Sequence, residues 1–408
     1  MSRILIIVQN LPVPFDRRVW LECRALHAAG HRVAVICPKG KADPAYEVVQ
    51  GVELFKYRPY APGGSKFSFV AEYFYSFAVT AWLTLKARRS GRFQILQACN
   101  PPDIFWPIAQ VLRALDRTKF VFDHHDLCPE LYESRFPTGP RLPYRGLRAL
   151  ERRTHRTADH VIATNESYRD IAIRRSGKRP ADVTVVRTGP NPEFLRRGPA
   201  RAELRRGHRF LAAYIGVMGP QDGVDIVIRA AHMIVHERGR EDIAFTLIGS
   251  GDCFDELVRL RDELGLTEHV HFTGRAPDEL VGQILSTADV GLSPDPKNPL
   301  NDVSTMNKTM EYMAFDLPVV AFDLHETRVS AGDAAVYADP NDVQDYANAI
   351  VTLMDDEERR ALLGKLGRER IEQQLAWSHQ ERAYLGVYER LLAASQPPRT
   401  SRPAKEQA

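Results

Sequence analysis

Residues 290–322 read VGLSPDPKNPLNDVSTMNKTMEYMAFDLPVVAF. An apolar run (Val290 to Leu292), a polar, proline-rich loop, a segment with methionines at helical spacing (Met306, Met310, Met313) and a second apolar run (Val319 to Phe322) make one strand–helix–strand unit. Both runs are apolar throughout, which marks strands covered on both faces and therefore a parallel sheet. The same alternation occupies the rest of the chain. Upstream runs lie at Ile4 to Val8, Val33 to Cys37, Ile95 to Cys99, Phe120 to Phe122, Val161 to Thr164 and Val183 to Val186; downstream ones begin at Leu211, Phe245 and Val270. A chain of 408 residues has room for two domains of about 200 residues each. The pattern predicts an α/β chain with two doubly wound domains in tandem, divided near residues 187–208, and a site at the carboxyl ends of the strands in the cleft between them. Residues 396–408, nearly without apolar side chains, predict a disordered tail.

With 44% hydrophobic and 26% charged residues the chain is neither a mini-protein, a collagen nor a disordered polymer. Five scattered cysteines without a CxxC pair support neither a disulfide framework nor a thiolate zinc site. A reduced, cytoplasmic setting without export is expected. Charge is distributed unevenly: residues 1–200 carry 32 Lys and Arg against 18 Asp and Glu, and the remainder 23 against 34. The basic half predicts an anionic surface or a phosphate-bearing ligand as partner, unless the opposite charges merely hold the halves together. Residues 67–85 approach a membrane span in length, but Ser68, Glu72, Ser76, Thr80 and Thr84 recur every fourth residue. A helix packed in protein or lying at an interface is predicted instead. Arg141, Arg145, Arg148, Arg152 and Arg156 align on one helical face, either as a solvated surface or as an anion-binding one.

Three stretches could carry chemistry. In the segment 304–314, Ser304 can cap a helix whose first amides, with Asn307 and Lys308, would receive a diphosphate, and Glu311 could accept hydrogen bonds from a ribose diol. Gly249-Ser250-Gly251 after a strand lets backbone approach a ligand closely. Asp123-His124-His125-Asp126 offers metal-ligand types and raises a metal-dependent phosphoesterase as one alternative, although no DxD follows the first strand. A non-catalytic nucleotide-sugar-binding protein is the other.

Taken in order, these residues resemble the retaining family 4 glycosyltransferases of the GT-B fold, especially those of bacterial O-antigen, capsule and exopolysaccharide synthesis. The resemblance runs from Arg3 to about Leu392. It is carried by Pro12 to Val19, Gly30-His31-Arg32-Val33, Asn100-Pro101-Pro102-Asp103, His125-Asp126-Leu127, Tyr214-Ile215-Gly216, Leu247 to Gly251, Phe272 to Arg275 and Lys308 to Ala314. It implies two Rossmann-like domains facing across a cleft: an acceptor domain over residues 1–190, a nucleotide-sugar domain over 191–374, and final helices, about 375–394, returning to the first. It further implies a metal-independent, retaining transfer with no cofactor, from a nucleotide diphosphate-sugar, UDP-linked, to a glycan or a polyprenyl-diphosphate-linked acceptor. The expected setting is the inner membrane face, against anionic lipid and without nucleic acid. By position, Glu311 would bind ribose, and Gly219, Gly249, Gly251, Arg275, Ser304 and Asn307 would surround the donor. His125 and Lys308 would act on the transferred sugar and diphosphate, and Asn10, Arg18, Asn100 and Asp103 would meet the acceptor. Three departures stand out. Val303 replaces the glutamate eight residues before Glu311, with Asp302 as its substitute. Val217 and Asp222 stand where the family has a diphosphate-clamping Arg and Lys. Asn10-Leu11-Pro12 replaces a glycine pair in the first loop.

Overall fold

Strand β1 (Arg3–Ile7) is buried along its whole length, as five consecutive apolar or aliphatic-stemmed residues require. It pairs in parallel with β2 (Arg32–Pro38) and β5 (Ile95–Cys99), Ile4 lying opposite Val33 on one side and Ile95 on the other. The computed structural model describes residues 1–40, 42–60 and 66–394; the expected tail at 396–408 lies outside them. Outward from β1 on one side follow β2, β4 (Val52–Tyr57) and the antiparallel β3 (Tyr46–Val49). On the other follow β5, β6 (Lys119–His124), β7 (His160–Ala163) and β8 (Val183–Val185). The second sheet is parallel throughout, ordered β11 (Val270–Gly274), β10 (Ile243–Ile248), β9 (Phe210–Ile215), β12 (Val290–Ser293), β13 (Val319–Phe322) and β14 (Ala335–Ala338). This is the GT-B arrangement of two Rossmann-like domains with a cleft between them.

Helices Lys66–Arg88, Trp106–Asp116, Arg141–Thr157 and Glu166–Ser176 cover one face of the first sheet, burying Leu83, Leu112 and Ile171. Helix Arg17–Ala28 covers the other face together with the last helix, Trp377–Ala393, whose Trp377, Tyr384 and Tyr388 enter the first domain's core. The Tyr384 hydroxyl donates to Gln97 on β5 at 2.9 Å, tying the chain's end to the middle of the first sheet.

The stretch read as a helix over 67–85 is one, and its small polar ridge turns inward: Ser76, Thr80 and Thr84 are buried. Thr84 returns its hydroxyl proton to the Thr80 carbonyl at 2.8 Å, so the ridge reaches the sheet without an unpaired donor at that position. Phe74, Trp82 and Leu85 are left exposed. No described helix is long and apolar enough to cross a membrane.

The domains also meet at a polar seam beside the cleft. Asn165 caps helix Glu166–Ser176 with its side-chain oxygen and donates its amide to the Val303 carbonyl at 2.9 Å and to Thr305 Oγ1 at 3.0 Å. Ser167 donates to Glu326 at 2.6 Å, and the Tyr168 and Ser304 hydroxyls lie 2.8 Å apart. The stretch 303–305 thus serves contact between domains.

Candidate active site

In the second domain, the loops leaving β9, β10 and β11 are laced together by main-chain bonds. Gly216 N donates to Ile248 O, Gly249 N to Gly274 O, and Met218 N to Ser250 O, all within 3.2 Å. Gly249 has φ +137°, and a Cβ there would stand 1.8 Å from the Gly216 carbonyl; one at Gly251 would stand 2.5 Å from the Met218 carbonyl. Both positions therefore need glycine on steric grounds. Gly219 differs, because only the flexible Gln221 and Asp222 side chains come near and its N–H already donates to Asp222 Oδ2 at 2.9 Å. That amide is not open to a phosphate. Burial pushes the Asp222 carboxyl up to about 6, against the pull of Lys308.

Lys308 follows Asn307 at the start of a short helix, Asn307–Ala314. Its ammonium is paired with the buried Asp295 at 2.5 Å and lies 5.2 Å from the Tyr214 ring centroid. Burial alone would lower its pKa, but Asp295 and Asp222 outweigh burial and raise it, so the lysine stays charged. One turn on, Glu311 keeps a quarter of its side chain open and faces Arg17 of the first domain at 3.4 Å. Burial raises the Glu311 carboxyl and Arg17 opposes the shift. Arg17 also reaches Asp278 at 2.6 Å, so one first-domain side chain bridges two second-domain acids.

Across the cleft, His125 stands just past the end of β6. Its backbone N–H donates to Asn100 Oδ1 at 2.6 Å, while the Asn100 amide donates to the Asp126 carbonyl at 2.7 Å. Ring atom Nε2 lies 2.5 Å from Asp123 Oδ2 and 3.0 Å from Arg18 Nε. Arg18 always carries its proton, and an unprotonated Nε2 would leave the close carboxylate contact without hydrogen. Nε2–H therefore donates to Asp123, Arg18 Nε–H, fixed in the guanidinium plane, also points at Asp123 Oδ2 at 3.4 Å, and Nδ1 is the ring atom left for a ligand. Burial would raise the Asp123 carboxyl, but Arg18 and His125 hold it far below the usual range.

Several expectations change here. Arg18 does not face an acceptor: it is buried, with further bonds to Asp123, Val186 O and Thr188, and holds the His125–Asp123 pair from beneath. Asn100 is likewise buried and shapes the turn that carries His125. Ser304 does not cap the helix, which starts at Asn307 with Met306 before it; Ser304 instead bonds Tyr168 and the Leu300 carbonyl. Asp302 accepts the His325 amide at 3.0 Å and lies 3.6 Å from Lys297, an anchoring position at the seam. Asp103 is buried, near the Cys128 thiol and the Asn100 amide yet without a hydrogen bond of ordinary geometry, and burial with the charge of Glu151 raises it to about 7. Asn10, Arg275 and Asn307 are exposed.

Cys99, Asp123 and His125 have ligand atoms within 4.8 Å of one another, the spacing of a metal site. The cation among them is Arg18, and burial drives the Cys99 thiol well above its ordinary pKa. This donor set is arranged around a guanidinium. Sequence reasoning passed over Arg17, although it lies in the stretch Pro12 to Val19 beside Arg18, and it passed over Asp295, which has no motif to mark it.

Two family models match the chain, one per domain: "Glycosyltransferase Family 4" over residues 16–194 and "Glycosyl transferases group 1" over 209–356. A D-inositol 3-phosphate glycosyltransferase of Thermomonospora curvata is 28% identical over 250 residues, covering 57% of this chain and 57% of that protein. The chain thus spans somewhat over half the length of such curated relatives. Among solved structures, sucrose-phosphate synthase from Thermosynechococcus elongatus superposes with a TM-score of 0.78 at 19% identity, covering 97% of this chain and all of that one. Anabaena HepE in complex with UDP and glucose gives 0.70 at 17% identity, over 96% of this chain and all of that one. With a matching family model on each domain and the two-sheet architecture of these solved proteins, the chain belongs to the GT-B-fold glycosyltransferases related to family 4 and group 1.

Proposed function

We propose that the protein transfers a sugar from a UDP-sugar, with retention, to a glycan or polyprenyl-diphosphate-linked acceptor at the inner membrane face, without a metal. The observation that carries this reading is the pairing of Glu311 across the cleft with Arg17 of the first domain, with Lys308 one turn before it and the obligate glycines on the neighbouring loops; the oriented His125 stands on the first-domain side. Glu311 accepts the ribose hydroxyls, displacing Arg17, and Lys308 stands at the diphosphate. His125 Nδ1 accepts a hydroxyl of the sugar. As the bond from C1 to the diphosphate oxygen breaks, the acceptor oxygen bonds to C1 on the same face and its proton passes to the departing phosphate. The chain's contribution is charge stabilisation of that leaving group rather than a carboxylate pair. UDP-bound HepE among the fold relatives supports the choice of nucleotide.

Membrane attachment draws support from the outward Phe74, Trp82 and Leu85 and from helix Arg141–Thr157. On that helix Arg145, Arg148, Arg152, Arg153 and Arg156 line an open cavity of about 450 Å³. The test is proton NMR of products from a panel of UDP-sugars incubated with a lipid-linked acceptor, with and without EDTA. An anomeric coupling matching the donor's configuration, unaffected by EDTA, is expected. Inversion, loss of activity with chelator, or release of phosphate alone would overturn the reading, the last two in favour of a phosphoesterase.

A further inference from the structure

Arg135 ends the helix Cys128–Arg135, which begins three residues after His125 in the first domain. Its guanidinium nevertheless lies 3.4 Å from Asp252 of the second domain, the residue directly after Gly251. Its charge also acts on Asp222 in the second domain and on Asp126 and Tyr73 in the first. Arg135 is therefore a cleft residue in contact with the glycine loops from the opposite side.

On their own domain these loops have two cations, Arg275, which is exposed to solvent, and Lys308. Asp222 sits on the Gly219 amide, Asp252 is largely exposed, and Asp295 is buried; Lys308 is packed among them, and Asp295 already matches it. A diphosphate arriving there brings at least two further negative charges into a partly desolvated pocket, where unmatched like charge is strongly unfavourable. Arg17 lies at the other end of the site, on Glu311 and Asp278. Among the described residues, Arg135 is the first-domain cation paired with the glycine loops, and its one ion pair is with a largely exposed carboxylate that a phosphate can replace. A planar guanidinium is also suited to two-point bonding of phosphate oxygens.

Resting on the nucleotide-sugar reading, we propose that Arg135 is a diphosphate ligand contributed by the first domain, exchanging Asp252 for the leaving phosphate. Matching of the leaving-group charge then needs both domains, so a donor held by the second domain alone is poorly activated. Hydrolysis of the donor in an open cleft is disfavoured in consequence.

The test compares the parent with Arg135→Gln, Arg135→Lys and Asp252→Asn, measuring affinity for UDP and for uridine by calorimetry and turnover of the donor. Arg135→Gln should bind uridine as the parent does, bind UDP at least tenfold more weakly, and turn over about 100-fold more slowly, the size seen when one oxyanion donor is lost. Arg135→Lys should recover part of both. Asp252→Asn should bind UDP at least as tightly as the parent, since a competitor is removed. If the parent binds UDP and Arg135→Gln matches it in affinity and rate, or if Arg135→Gln loses uridine and UDP alike, this assignment falls while the nucleotide-sugar reading stands. A parent that binds no UDP overturns both.

Discussion

Lys308 and Asp295 form a buried pair, and this decides how the lysine can be tested. Truncating the lysine alone leaves a carboxylate of 2% side-chain exposure without its partner, a change that costs about 3–5 kcal/mol. Lys308→Met should therefore melt well below the parent and turn over slowly for two reasons at once. The double variant Lys308→Met, Asp295→Leu removes both charges and should regain most of the melting temperature by calorimetry without regaining turnover. Recovery of both would mean that the lysine is purely structural. Sequence reading singled out Lys308, Glu311 and His125 as candidates because each sits in a segment with its own local signature. It could not show that Arg18, Asn100 and Ser304 have their polar groups taken up by partners far along the chain: Arg18 by Asp123, Asn100 by Asp126, Ser304 by Tyr168. Residue type and spacing tell nothing of whether a side chain's bonds are already filled from across the fold.

At the scale of elements, strands buried on both faces were legible and edge strands were not. Eleven of the fourteen strands coincide with apolar runs, their ends moving by a residue or two. The hairpin β3–β4 escaped because β3 alternates exposed and half-buried residues at the sheet margin, and its tight Gln50-Gly51 turn, both residues at positive φ, lacks the usual asparagine. The short β14, AVYA, escaped although turn residues flank it, because half of its four residues are alanine, a poor strand former. The helix 66–88 was legible in extent, and its ridge gave its inward face. The glycine loops offer the element-scale prediction. Gly249→Ala would drive a methyl to 1.8 Å from the Gly216 carbonyl, at a φ that disfavours side chains, so the β9 and β10 loops must separate. A loss of UDP affinity beyond about tenfold is expected, together with destabilisation of a few kcal/mol; parent-like binding and melting would mean that these loops adapt freely.

The whole molecule joins a first half rich in Lys and Arg to a second rich in Asp and Glu, and the ion pairs across the cleft (Arg17 to Glu311 and Asp278, Arg135 to Asp252) follow that polarity. Apart from these pairs, Arg145, Arg152, Arg153 and Arg156 of helix Arg141–Thr157 are exposed. Each basic side chain near an anionic bilayer contributes about 1 kcal/mol, decaying within a Debye length. Co-sedimentation with vesicles should therefore need anionic lipid, weaken at high salt, and fall sharply when Arg145, Arg148 and Arg152 are changed to Gln. Binding indifferent to salt and lipid charge would return these arginines to the role of a solvated surface.

The account rests centrally on a nucleotide diphosphate held in the second domain with its ribose on Glu311. Calorimetric titration of UDP into the parent and into Glu311→Ala tests it most directly. Charge-assisted hydrogen bonds of about 1.5–3 kcal/mol each predict saturable binding to the parent and at least about tenfold weaker binding to the variant, with the melting temperature unchanged. Equal affinity in the two proteins, or no binding to either, would contradict it.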